Sequence, residues 1–194
     1  MQIVCLGDPV LRIESRKLSV EEIVSPEIQA LIESMRGFMR ENLGIGLAAP
    51  QIGKSIQLIV YEDIDQSHLT PEQIKERKRY PVAFHVIINP RLILDEKSPI
   101  AEFYEGCLSI PGYMGLVPRA ESVSVECLNE RGEPVIIHAT GWYARGLQHE
   151  IDHLHGILYT DRMIPSTFTT IENYAKYHKV FTRSGKDCHS NINP

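Results

Sequence analysis

The chain has 194 residues, 43% of them apolar and 23% charged, and a formal net charge of −5. That composition suits one globular domain able to bury its core without disulfides or a structural metal. The acidic balance argues against a general nucleic-acid binder, and apolar runs such as IQLIVY are far too short to span a bilayer.

The N-terminus, MQIVCLGDPVLR, lacks a basic region followed by a long apolar stretch, so no secretory signal is read there. LSVEEI carries a capping-box pattern, Ser19 to Glu22, that predicts a short helical turn. SPEIQALIESMRGFMREN follows, with Ile28, Leu31, Ile32, Met35 and Met39 at helical spacing, Ser25 as N-cap and Pro26 in the first turn. The pattern predicts a helix over 26–41 with a core-facing stripe. GIGLAAPQIG is a glycine-rich connection, and IQLIVYE reads as a buried strand.

The next stretch, 63–81, is polar, charged and bounded by prolines. Thr70, Pro71 and Gln73 predict a capped helical turn in it. The run Lys75, Arg77, Lys78, Arg79 reads as a solvated face, and the whole excursion as surface decoration rather than a flap. Strands are expected near 83–89, 91–94 and 101–105, then a hairpin in SVSVECLNERGEPVIIHAT turning at Asn129–Gly132. A helix from Thr140 to His155 follows, with Gly156 as its C′ residue and Leu147, Ile151 and Leu154 as its apolar stripe. A second capping box, Thr169 to Glu172, with Ile171, Tyr174, His178 and Phe181 at helical spacing, predicts a C-terminal helix before a frayed tail. The expected organisation is a catalytic domain over 1–165 and a C-terminal helix and tail over 166–194. Cys5, Cys107, Cys127 and Cys188 are widely spaced, without a CxxC pair, and read as reduced thiols in a cytosolic setting.

QHEIDH, at 148–153, carries the chemistry. On a helix, His149 and His153 lie one turn apart on one face, the arrangement that grips a metal, with Glu150 beside them as a base. A catalytic site of this kind needs a third protein ligand. Glu172, downstream, would make the site thermolysin-like. A metzincin would need His at position 159, which is Tyr. His155 is too close and points away. Cys107, in YEGCLSIPG, remains as a thiolate able to project from an irregular stretch.

Three segments together resemble one family. GIGLAAPQ at 44–51, EGCLS at 105–109 and QHEIDH at 148–153 look like the three signature motifs of peptide deformylases, in family order. LGDPVLR and the VPR at 117–119 fit as well, and GWYAR at 141–145 is similar to the branch containing eukaryotic organellar enzymes. The resemblance covers about residues 2–165. It implies an α+β fold of short antiparallel sheets packed around a central helix carrying the HExxH motif. It also implies removal of formate from the N-terminal formyl-methionine of newly made polypeptides.

The implied metal ligands are Cys107, His149 and His153, holding one divalent ion, Fe2+ in the cell, with Zn2+, Ni2+ or Co2+ as substitutes. Water would take the open position, and Glu150 would move its proton to the leaving amine. The oxyanion would be met by the Gln51 amide and the Leu108 backbone N–H. Gly46 would hydrogen-bond the peptide in a strand-like pose and Ile45 would line the methionine pocket. Glu105, Asp152 and Arg119 would orient the ligands.

The implied partners are nascent formyl-methionyl polypeptides, with ribosome association as a family expectation, no membrane and no direct nucleic-acid specificity. The implied state is a monomer or weak dimer, in the cytoplasm or, after loss of a presequence, an organelle matrix. Some residues depart from the family pattern. Met114 stands where some bacterial relatives carry arginine, and Arg145 and Gly146 where they carry apolar pocket residues. Trp142 narrows the same region.

A metallopeptidase of the general HExxH type is the rival enzyme reading, and would tolerate Cys107→Ser. A catalytically dead binding protein is the third, and the presence of Glu150, Gln51 and the ligand set argues against it.

Overall fold

The computed structural model describes residues 1–178. Phe181, Cys188 and the expected tail lie outside them. After a capped 3-10 turn at Pro9–Arg12, the chain forms α1 (Val20–Ile23) and α2 (Pro26–Glu41). Ser19 and Glu22 close the reciprocal capping box that starts α1, and the Ser25 hydroxyl caps α2. β1 (Gly46–Ala48), β2 (Leu58–Asp63), α3 (Pro71–Glu76), β3 (Val82–Leu94), β4 (Ile100–Cys107), β5 (Ile110–Ala120), β6 (Ser122–Leu128) and β7 (Pro134–Thr140) follow. Then come α4 (Gly141–Leu154), α5 (Tyr159–Arg162), β8 (Thr169–Thr170) and α6 (Ile171–Asn173), with a π-helical turn at Tyr174–His178.

The described strands make two antiparallel sheets, ordered β1-β2-β3-β6-β7 and β4-β5-β8. Each layer has a physical cause. β2 is apolar without a break from Leu58 to Tyr61 because both of its faces are covered there. Leu58 and Val60 meet Ile28, Ile32, Met35 and Met39 of α2, whereas Ile59 and Tyr61 meet Ala144, Leu147 and Ile151 of α4. The larger sheet therefore lies between α2 and α4, and α4 is the central helix. Gly156 ends α4 at φ +70°, where Cβ would collide with the Arg12 backbone, so only glycine fits this stop.

Several expectations need correction. The strands foreseen at 83–89 and 91–94 are one strand, β3, whose register shifts between Ile88 and Arg91. Asn89 takes φ +50° there, and its side-chain amide brackets Leu18, accepting from its N–H at 2.9 Å and donating to its carbonyl at 2.7 Å. The run Ile110–Ala120, whose two prolines and two glycines speak against a strand, is β5. Pro118 is tolerated because β8 pairs only with Tyr113 and Met114, which leaves β5 a single neighbour at Pro118. At the C-terminus the cap is Thr170 to Asn173, one residue later than the expected Thr169 to Glu172, and the helix it starts, α6, spans only Ile171–Asn173 before the π-helical turn.

The basic run is not a solvated face. Arg79 is buried in a bidentate ion pair with Asp63, at 2.7 and 2.8 Å, and Arg77 lies 4.7 Å over the Trp142 ring. Lys75 and Lys78 are exposed, as read. Nor is the excursion a decoration. The backbone at Arg77 and Lys78 packs against Gly141, at φ +59°, where a Cβ would collide with both carbonyls.

Candidate metal centre

QHEIDH lies in the buried C-terminal half of α4, and the helical repeat brings the two imidazoles together edge to face, their centroids 5.0 Å apart and planes at 76°. Cys107 reaches them from the β4–β5 hairpin. The register jumps from Gly106↔Met114 to Cys107↔Ile110, so Cys107 stands at a tight turn while Pro111–Tyr113 bulge outward. The Cys107 Sγ accepts the Ser109 N–H at 3.4 Å and lies 3.3 Å from His153 Nε2.

The ligand atoms of Cys107, His149 and His153 all lie within 4.8 Å of one another, and they are the one such group among the described residues. Glu172 is exposed on α6 and outside the cluster, and His155 faces Glu14 at the surface, 3.7 Å away. A thiolate with two imidazoles suits a transition-metal or zinc ion. The convergence of three such donors, beside a buried, unpartnered carboxylate oxygen of Glu150, fits an ion there.

Glu105 organises the surroundings. Its carboxylate accepts from His149 Nδ1 at 2.9 Å, from Arg119 at 2.7 and 2.9 Å, and from Arg145 at 2.6 Å. With Nδ1–H donating to Glu105, the bare Nε2 of His149 faces the cluster. Arg119 also donates to Asp152 at 2.7 Å, and Asp152 is clasped by Arg162. Burial alone would push Glu105 up, but hydrogen bonds from His149 and Arg119 hold it well below the usual carboxylate range. The Cys107 thiol follows the same logic: burial raises it, and the His153 and His149 imidazoles outweigh that and lower it strongly, favouring thiolate. Arg145 lines the cleft, as its position implied, and its guanidinium is tied by Glu105 and by the carbonyls of Ala101 and Val117.

Glu150 is buried on the same helix, and burial pushes its carboxyl up against the opposing pull of His149 and His153. Gly46 explains its placement: a Cβ there would overlap the Glu150 carboxyl. Gln51 comes from the 3-10 turn Ala49–Ile52. Its Oε1 accepts the Ala48 N–H at 2.8 Å, which turns the Nε2 toward Cys107 Sγ at 3.4 Å. Leu108 is in the hairpin turn after Cys107. These groups, with Ile45 and Gly46, line one cleft of about 520 Å³.

A family model described as "Polypeptide deformylase" matches residues 1–168. The chain belongs to the polypeptide deformylase family. It is 46% identical over 173 residues to "Peptide deformylase 1A, chloroplastic" of Solanum lycopersicum, covering 88% of this chain and 62% of that protein. Against the peptide deformylase of Halothermothrix orenii the identity is 42% over 164 residues, covering 84% of this chain and 94% of that one. A solved deformylase, the Met-Ala-Ser-bound class I type b protein of Acinetobacter baumannii, superposes with a TM-score of 0.74 at 33% identity. That match covers 84% of this chain and 98% of that one. The chain spans less than two thirds of the length of the plant deformylases it matches, 62% and 64%. Members of this family are metal-dependent hydrolases, and among the described residues no helix is long and apolar enough to cross a membrane.

Sequence reasoning missed three parts of the site. His68 and Arg79 bring the 63–81 excursion to the cleft wall, and Ile171 brings in α6. Tyr61 fills the space that a side chain at position 146 would take. No local pattern marks any of these, since each depends on which segments the fold brings together.

Proposed function

We propose that this deformylase removes the formyl group from the N-terminal formyl-methionine of newly made polypeptides and releases formate. The convergence of Cys107, His149 and His153 beside a buried Glu150 carries the reading. Those three residues would hold one divalent ion, Fe2+ in the cell, on one thiolate and two imidazoles. When bound, such an ion acts as a Lewis acid and lowers the pKa of water at its open position.

The protein's own residues divide the rest of the work. Glu150, whose carboxyl burial raises, accepts a proton and returns it to the leaving amine. Gln51 cannot swing its amide away, because the Ala48 N–H holds its oxygen, so the NH2 donates to the developing oxyanion. The Leu108 N–H is the second donor. The Glu105–Arg119–Asp152 network keeps His149 in one tautomer. β1 is an edge strand of the larger sheet, so Gly46 offers backbone groups to an extended peptide, and Ile45 meets the methionine side chain. The Met-Ala-Ser bound in the Acinetobacter relative has the composition of the product expected from formyl-Met-Ala-Ser. The native partners would be nascent chains at the ribosome, met by a monomer or weak dimer.

The test is formate release from formyl-Met-Ala-Ser by protein purified anaerobically with Fe2+. Glu150→Ala should lower kcat by about 10²- to 10⁴-fold while retaining the metal. Release by the wild type no greater than that of Glu150→Ala would overturn the assignment.

A further inference from the structure

We propose that the segment Phe168–Tyr174, with Tyr113, forms an accessory apolar wall that binds the nascent chain just beyond its first residue. The proposal rests on the deformylase reading and adds a substrate preference to it.

Three independent features meet at the cleft mouth. Ile171 lines the cleft that Cys107, His149 and Glu150 also line, yet it is 51% exposed. It lies beyond residues 1–168, where the family match ends. Tyr113, 43% exposed, lines the same cleft and stacks on Phe168, 44% exposed, with ring centres 5.1 Å apart and planes at 9°. Leu43, just before Gly44, is 93% exposed and also lines the cleft, held at φ +55°, a conformation that costs a leucine energy.

The wall is built rather than draped. Thr169 and Thr170 pair with Met114 and Tyr113, the Leu116 N–H donates to Thr167 Oγ1 at 2.9 Å, and the Thr170 hydroxyl caps α6. Tyr174 packs on Tyr104, another cleft residue, with centroids 4.6 Å apart. An apolar rim exposed at a cleft mouth marks a binding surface.

Continuity identifies its occupant. The formyl group must reach the buried cluster, so the polypeptide behind it leaves through the mouth, between Leu43 and the pair Tyr113 and Ile171. A chain with an apolar side chain at its second or third residue would bury it there. A polar one would not.

The experiment compares kcat/KM for formyl-Met-Ala-Ser, formyl-Met-Leu-Ser and formyl-Met-Ala-Leu. The wild type should favour at least one leucine peptide by about five- to tenfold through a lower KM, the return from half-burying a leucine. Ile171→Lys, and separately Phe168→Ala, should bring that ratio close to one. Ile171 belongs to none of the buried core clusters, so its variant reports even if Phe168→Ala fails to fold. Equal rates for all three peptides in the wild type, or a leucine preference surviving Ile171→Lys, would overturn the wall. Absence of formate release from every peptide would instead overturn the underlying activity.

Discussion

Gln51 and Gly46 show how single residues are chosen by their neighbours. Gln51 uses both ends of its amide: the oxygen anchors to Ala48, and the nitrogen points to Cys107 Sγ. Gln51→Leu keeps the volume and loses both roles, so kcat should fall by about 10²- to 10³-fold, measured as formate release at saturating peptide. Gly46 is glycine because Glu150 occupies the space beside it, a reason invisible in a motif that reads simply as glycine-rich. The cysteines differ for similar reasons. Burial pushes the Cys127 thiol up to about 11, so its thiolate is scarce below that pH, whereas Cys5 is exposed. Iodoacetamide at pH 8 should therefore modify Cys5 and spare Cys127, and Cys127 labelling should rise only as pH approaches 11, read by peptide mass mapping.

At the scale of elements, α4 and β2 are matched through Gly146 and Tyr61. A Cβ at Gly146 would overlap the Tyr61 hydroxyl and ring, and Tyr61 is fully buried. Gly146→Ala should therefore lower stability by about 1–3 kcal/mol despite the higher helix propensity of alanine. The Tyr61 hydroxyl is buried without a hydrogen-bond partner among the described residues. Tyr61→Phe should accordingly be neutral or stabilising, which urea denaturation of both variants would check. The starts of α1 and α2 and the end of α4 were legible because each is announced by neighbours in the chain: Ser19 with Glu22, Ser25 with Pro26, Gly156 after α4. β5 was not legible, because what permits its prolines and glycines is the short reach of β8, known only once the sheet is assembled.

Across the whole molecule, the 63–81 excursion is bound to the body by charge and stacking. Asp63 and Arg79 form a buried pair, and Arg77, Arg79 and Arg145 all approach the Trp142 ring, at 4.7, 5.6 and 5.9 Å. Removing one partner strands a buried charge. Asp63→Ala or Arg79→Ala alone should cost about 3–5 kcal/mol, and the double variant should recover part of that loss, read from paired thermal melts. The same excursion brings His68 and Arg79 to the cleft, and the C-terminal segment brings Ile171. A domain-wide cleft is thus completed by two segments that look peripheral in sequence.

By itself the sequence determined the elements with strong local period and the three motifs, and the family resemblance those motifs carry implied the ligands, base and oxyanion donors. The elements and motifs are carried by side-chain type and by spacing within one turn of helix or one hairpin. Only the tertiary structure decided that Cys107 reaches His149 and His153, that Arg145 at the cleft wall donates to Glu105, and that Arg79 is buried. Those outcomes depend on which distant segments meet and on how a buried charge finds its partner, and neither is written in the spacing of neighbouring residues.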